Sequence, residues 1–399
     1  MEKDIEKQIE IIKRGTVDII DENQLKLKIT DSLKIGKPLR IKYGIDPTSP
    51  EIHLGHTVVI KKLKDFQELG HKILFLIGDF TARIGDPTGR NETRPILSEK
   101  EIKNNLETYK EQISNILSIE KTEFVYNSDW LKKISLENFI KVASVFTVAQ
   151  ILERDDFSAR YKSGKPIFLH EFFYPLLQGY DSVALNSDIE IGATEQKFNL
   201  LAGRSLQEFF GQEKQIVITM PILVGTDGKM KMSKSYKNYI PVNTTPQDMF
   251  GKIMSIPDNI MEHYFTLLTK IPIDDFKKVI ETNPRDGKFF LAKTIVEEFF
   301  GKQEAETAGI EFDKIFKNKE NPTDIPEIKI SKEALINGRI HIISVLVLGF
   351  NYSNSEAKRL IKQKAVKIND KLVENFNEYV SDGSVIKYGK GKFAKIKIL

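Results

Sequence analysis

Between residues 38 and 78 the chain runs strand, turn, helix and strand, and nothing else in it restricts the fold so tightly. Within 38–43, Leu39, Ile41 and Tyr43 alternate as one face of a strand does. A turn rich in Pro and Gly follows, and apolar residues then recur at helical spacing from Thr57 to Leu69. Ile73-Leu74-Phe75-Leu76-Ile77 is a continuous apolar run of strand length, the pattern of a strand covered on both faces. Two strands joined by a helix in so short a span make a βαβ crossover, which is parallel and right-handed. The class is therefore α/β.

The turn itself carries chemistry. It reads Tyr43-Gly44-Ile45-Asp46-Pro47-Thr48, then His53-Leu54-Gly55-His56 at the helix start. In α/β sheets such strand-to-helix turns are where nucleotides bind. Two imidazoles three residues apart on a first helical turn point the same way, and each is able to donate to a phosphate oxygen at the positive end of the helix dipole. Gly55 between them has no Cβ, so a flat ring such as adenine has room against the backbone. Taken alone, the pair reads first as two helix-capping histidines.

Composition removes several alternatives. With no cysteine among 399 residues, disulfides and thiolate zinc sites are excluded, and the six histidines form no ligand cluster beyond that pair, so no structural metal is expected. Apolar content of 40% and charged content of 29% describe a globular protein with room for two or three domains. There is neither a membrane-length apolar run nor a signal-peptide core, so the cytoplasm is the expected compartment. The net charge of +4 is uneven: from Ser331 to the end there are 13 Lys/Arg against 6 Asp/Glu, which leaves the rest slightly acidic. A basic terminal module suits a polyanion such as RNA, or serves solubility alone.

Residues 1–37 read as helical and charged. After the second strand, Gly85-Asp86-Pro87-Thr88-Gly89-Arg90, with Arg94 close behind, is a turn-rich loop; its Asp suits an ammonium and its Arg residues a phosphate, although a plain surface turn has the same composition. Residues 98–117 read as a helix, with Ser98 and Glu101 spaced as a capping box. A strand at 122–126 and helical patterns through 136–153 break simple alternation, which marks an insertion between the halves of a nucleotide fold. In 170–181, Tyr174, Gln178 and Asp181 share one face of an otherwise apolar helix. Such a stripe either joins an internal network or lines a small-molecule pocket. Residues 189–196 repeat the strand-to-helix form with Gln196 at the helix start, and 215–219 is a further strand.

Gly225-Thr226-Asp227-Gly228-Lys229-Met230-Lys231-Met232-Ser233-Lys234-Ser235 is a glycine-hinged loop with three lysines. It is not a P-loop, because the required upstream Gly is missing and Met230 stands where Ser or Thr belongs. Cations on such a loop suit a reaction in which phosphate charge grows in the transition state. Helical segments follow to about Lys317, and 321–326 has linker composition. In the basic tail, Ser353 and Glu356 form a capping box, and Asn369-Asp370 sits at the tip of a hairpin.

With both nucleotide stretches in view, the sequence resembles the class I aminoacyl-tRNA synthetases: His53-Leu54-Gly55-His56 is similar to their first signature and Lys231-Met232-Ser233-Lys234-Ser235 matches their second. The residues between narrow the resemblance to bacterial-type tyrosyl-tRNA synthetases, over nearly the whole chain. It implies a Rossmann-like catalytic domain at 1–240, with a connective insertion at about 80–185 and the signature loop at 225–235. A helical anticodon-side domain at 241–320, a linker at 321–334 and a small α+β RNA-binding domain at 335–399, similar to that of ribosomal small-subunit protein S-four, would complete it.

The implied substrates are ATP, accompanied by Mg2+, L-tyrosine and tRNA(Tyr), and the implied assembly is a homodimer. The implied roles are Thr48, His53 and His56 on ATP phosphates and Arg90, Arg94, Lys231 and Lys234 on the departing pyrophosphate. Asp46, Gly55, Met232 and Ser233 would contribute to the ATP site, Asp86, Tyr174 and Gln178 would take the substrate ammonium, Asp181 the phenol hydroxyl, and Gln196 would lie by the carboxylate. One departure stands out: Lys42 fills the place of the family's usual pocket tyrosine, and Tyr43, one residue on, falls on the other face of the strand.

Overall fold

The computed structural model describes residues 2–47, 51–86, 99–322, 325–336, 338–389 and 392–399, leaving aside the side chains of Glu99, Lys103 and Leu106. Compactness divides it into two units, Met1–Ala305 and Glu306–Leu399.

The first unit is built on a six-stranded sheet. Its strands are β1 (Asp18–Ile20), β2 (Arg40–Ile45), β3 (Lys72–Ile77), β4 (Thr122–Tyr126), β5 (Ile189–Ala193) and β6 (Ile216–Met220), in the order β1-β6-β5-β2-β3-β4. All pairings are parallel except that of β1 with β6. From β2 the chain winds outward to β3 and β4, whereas β5 winds to β6 on the other side. The strand order therefore reverses between β2 and β5, and the carboxyl ends of those two strands flank the crevice where α/β sheets take their ligands.

One local expectation is corrected. The stretch 1–37 is not helical throughout, since β1 lies between helices Glu2–Lys13 and Glu22–Ile35; three residues gain strand character only through pairing with β6. Ile41, Lys42 and Tyr43 of β2 are all buried, because β2 is an interior strand covered on both faces.

Of the helical segments that follow residue 241, those before Ala305 lie within the first compact unit, tied there by side chains, whereas most of helix Lys302–Phe316 falls in the second. The Tyr264 hydroxyl donates to the Val224 carbonyl at 2.7 Å, and Lys61, on the helix after β2, reaches the Leu268 carbonyl at 2.6 Å and Glu298.

The second unit has a five-stranded sheet, a two-stranded ribbon, and helices Ile342–Phe350 and Asn354–Lys362 around an apolar core that includes Ile340, Val345, Leu346, Ile361 and Ile396. Ser353 and Glu356 form the capping box there, and Asn369 and Asp370, both at positive φ, turn the hairpin. Lys358, Arg359, Lys362, Lys364, Lys367 and Lys371 are all exposed. The Ser98 capping box lies outside the described residues.

Candidate active site

Helix Leu54–Glu68 starts at the carboxyl end of β2, and both signature histidines cap it. His53 Nδ1 accepts from the Gly55 backbone N–H at 3.2 Å, and His56 Nδ1 accepts from the His53 N–H at 3.2 Å. With each Nδ1 accepting, a neutral ring carries its proton on Nε2. Burial, with Lys234 and the neighbouring ring adding to it, lowers His53 to about 2, and burial and Lys234 lower His56 to about 4. Both rings are therefore neutral Nε2–H donors at physiological pH, their centroids 3.9 Å apart and their planes tilted by 41°. The capping and phosphate readings of the pair are thus compatible: one nitrogen of each ring serves the helix and the other is the donor.

The lysine loop is brought to this helix by its own continuation. The Leu54 N–H bonds the Ile240 carbonyl at 2.9 Å and the Val242 N–H bonds the Ile52 carbonyl at 3.0 Å. A Cβ on Gly55 would lie 3.0 Å from the His53 ring and 3.5 Å from Met232 Cβ, so the bare backbone between the histidines faces the loop. Lys231 is paired with Glu195 at 2.8 Å and Lys234 with Glu51 at 3.1 Å.

Asn238, buried and not singled out by the sequence, organises the loop. Its Oδ1 accepts from the Ser233 N–H at 2.8 Å, and its Nδ2 donates to Asp227 at 2.9 Å and to the Lys231 carbonyl at 3.1 Å. A Cβ on Gly225 would fall 2.2 Å from Asn238 Nδ2, which is why a glycine stands there.

The polar stripe of helix Leu169–Leu185 faces the other end of the crevice. The Tyr174 hydroxyl donates to Asp46 Oδ2 at 2.9 Å, while Asp46 Oδ1 accepts from Thr81 at 2.8 Å. Asp46, expected on the ATP side, is thus bonded to a residue of the tyrosine stripe. Gln196, immediately before helix Lys197–Phe209, donates to Asp86 at 2.6 Å and accepts from Asn199 at 2.8 Å. Gln178 lies half-buried between Tyr174 and Asp181 on the helix. Thr48, Arg90 and Arg94 lie outside the described residues.

Asp181 is buried and has two donors that sequence reading missed. Trp130 Nε1 donates to its Oδ1 at 2.8 Å and Asn127 Nδ2 to its Oδ2 at 3.3 Å. Desolvation raises its pKa to about 7 against the pull of Lys42 and the two donors. Each oxygen has one lone pair beyond these contacts, so the carboxylate retains capacity for a hydroxyl. Tyr43 lies on the opposite face of β2 from Lys42, edge-on to Phe75 at 5.3 Å.

A family model described as tRNA synthetases class I (W and Y) matches residues 34–317. The chain is 53% identical to a tyrosine-tRNA ligase of Carboxydothermus hydrogenoformans, with 98% of each chain covered, and 48% identical to one of Thermotoga maritima, with 98% of this chain and 97% of that one covered. Among solved structures it resembles a tyrosyl-tRNA synthetase from Archaeoglobus fulgidus complexed with L-tyrosine, at a TM-score of 0.62 and 22% identity over 76% of this chain and 99% of that one. It also resembles a C-terminally truncated mitochondrial tyrosyl-tRNA synthetase of Aspergillus nidulans, at 0.63 and 21% over 79% and 100%. At such low identity these two bear on the fold alone.

The chain belongs to the class I tRNA synthetases of the tryptophan and tyrosine family. Within it, the full-length bacterial relatives make this a tyrosyl-tRNA synthetase of the bacterial type.

Proposed function

We infer that this chain joins tyrosine to its tRNA in two steps. An oxygen of the tyrosine carboxylate attacks the α-phosphorus of ATP, the bond to the β-phosphate breaks, and pyrophosphate leaves tyrosyl-adenylate. The terminal ribose hydroxyl of tRNA(Tyr) then attacks the acyl carbon, and AMP departs. Neither step needs an enzyme nucleophile; positioning and charge stabilisation suffice.

The observation that carries this reading is that a buried carboxylate, Asp181, lies on a helix tied through Tyr174 to Asp46 after β2, while the helix that follows β2 starts with two neutral Nε2–H donors near Lys234. On this reading, His53 and His56 hold phosphate oxygens, with Gly55 and Met232 against the nucleotide and Ser233 on the loop beside them. Lys231 and Lys234 exchange Glu195 and Glu51 for the departing pyrophosphate. Asp86, Tyr174 and Gln178 receive the ammonium, with Asp46 bracing Tyr174, Gln196 lies by the carboxylate, and Asp181 accepts the phenol hydroxyl. Roles for Thr48, Arg90 and Arg94 on the phosphates rest on the resemblance. Mg2+ enters on the phosphates of ATP, where a hard cation with few protein ligands belongs.

Pyrophosphate exchange with each amino acid in turn tests the reading: tyrosine alone should support it, and exchange with tryptophan, or none at all, would overturn it. The exposed lysines of the second unit favour tRNA as its partner. Deleting residues 331–399 should leave tyrosine-dependent exchange intact while weakening tRNA charging; loss of exchange in a folded truncation would count against that division of labour.

A homodimer is the assembly this reading favours. Helix Leu136–Ala143 packs on helix Leu169–Leu185 through Phe139 and Phe173, and together these neighbours expose Leu136, Ile140, Phe168 and Leu169. Sedimentation should give twice the chain mass, and Ile140→Asp should give monomer. No helix of the described residues is long and apolar enough to cross a membrane. The cytoplasm, where tRNA is charged, is the compartment that fits the proposed reaction.

A further inference from the structure

Lys42 is completely buried, and its ammonium meets three acceptors: Glu190 Oε1 at 2.9 Å, Ser182 Oγ at 2.8 Å and the Gln178 carbonyl at 3.0 Å. An ammonium has three protons, so its demand is met. Glu190 is equally buried, and its Oε2 accepts from Ser182 Oγ at 3.0 Å and from Gln215 Nε2 at 2.5 Å. The cluster closes only because residue 203 is glycine: a Cβ there would fall 2.5 Å from Gln215 Nε2 and 2.7 Å from Ser182 Oγ.

The two residues of helix Leu169–Leu185 that Lys42 grips lie on either side of Asp181, Ser182 next to it and Gln178 nearly one turn before. An ion pair this deep gives a core little that apolar side chains of similar volume would not. What it does provide is a fixed positive charge behind Asp181. Lys42 from β2 and Glu190 from β5 are the charged groups acting on that carboxylate, and Trp130 and Asn127, from the segment after β4, are neutral donors.

We propose that Lys42 is a positioning residue for tyrosine recognition: held by Glu190, Ser182 and the Gln178 carbonyl, it fixes the helical turn that carries Asp181 and sets a positive charge behind that carboxylate, so that the phenol hydroxyl meets an ionised acceptor. The inference rests on the tyrosine-activation reading. Burial pushes Asp181 up to about 7, Lys42 pulls it down more strongly than Glu190 pushes it up, and the pair as a whole therefore favours the ionised form.

The test is the pH profile of kcat/KM for tyrosine in pyrophosphate exchange, which reports groups of the free enzyme. Glu190→Gln removes the negative charge that opposes ionisation of Asp181 while Lys42 stays, and should move the acid limb to lower pH. The double variant Lys42→Met/Glu190→Gln removes both charges and should move the limb to higher pH. Each shift should be about one pH unit, and the double variant should lose roughly tenfold in kcat/KM for tyrosine on the acid side, with KM for ATP unchanged.

Opposite displacements support the proposal, because a role in packing alone would shift neither limb or lower activity equally at every pH. Folded variants, as judged by circular dichroism, whose acid limbs superimpose on the parent's would overturn it. Should the double variant fail to fold, the direction of the Glu190→Gln shift decides. Absence of tyrosine exchange in the unaltered protein would remove the activation reading itself, and the inference with it.

Discussion

At the end of the crevice proposed for phosphate the charged groups touch water; at the end proposed for the phenol they do not. Lys231 and Lys234 are 39% and 29% exposed and sit on carboxylates of exposed glutamates, whereas Asp181, Lys42 and Glu190 are at most 1% exposed. An exposed ion pair is worth little and exchanges partners cheaply. A buried one is fixed, since removing either partner strands a charge in a medium that cannot solvate it. The first arrangement suits a ligand that brings its own charge and leaves with it, the second a ligand that must be told apart from a close analogue by one hydroxyl.

The contrast can be broken at either end. The largest effect should come from Lys234→Ala, which should lower the rate of adenylate formation by about a hundredfold or more while tyrosine affinity stays near the parent's, because the contact forms with developing charge. Equal losses in rate and tyrosine binding would put the lysine in ground-state recognition instead. Asp181→Ala should invert that signature, costing tyrosine binding about 1–3 kcal/mol and collapsing discrimination against phenylalanine, with ATP binding unchanged. A smaller and global effect belongs to pH. His53, His56 and His71 are all held below their usual value, chiefly by burial, to about 2, 4 and 4. The folded state then binds fewer of these protons than the unfolded chain. Their contribution is complete above about pH 6.5 and is lost progressively as the pH falls toward 4. Thermal melts should show stability declining over that interval, and less steeply in His71→Gln.

The same contrast separates what was legible in the sequence from what was not. The strand, turn and helix that hold His53 and His56 are contiguous and periodic, so local pattern suffices to find them, and the helix Leu54–Glu68 and strand β4 fall where periodicity predicts. The phenol end is assembled across the chain. Asn127 and Trp130 meet Asp181 from about fifty residues away, and Glu190 meets Lys42 across two strands. No local signal marks any of them. Asn238 is hidden in the same way, since an asparagine a few residues beyond a loop is unremarkable until its amide is seen bridging Ser233, Asp227 and Lys231. The one-residue offset between Lys42 and Tyr43 was readable, because alternation along a strand turns such an offset into a change of face; the identity of the lysine's partners was not.

Trp130 is the chain's only tryptophan, and its indole N–H is bonded to the carboxylate proposed to meet the substrate. Light selectively absorbed by indole is therefore re-emitted from a single ring at the tyrosine end of the crevice and from nowhere else in the protein. Its colour and yield should respond when the Asp181 neighbourhood dehydrates around a bound phenol, and should stay still when ATP alone enters the other end. The fold thus carries an optical reporter for one half of its own site, with no label to attach.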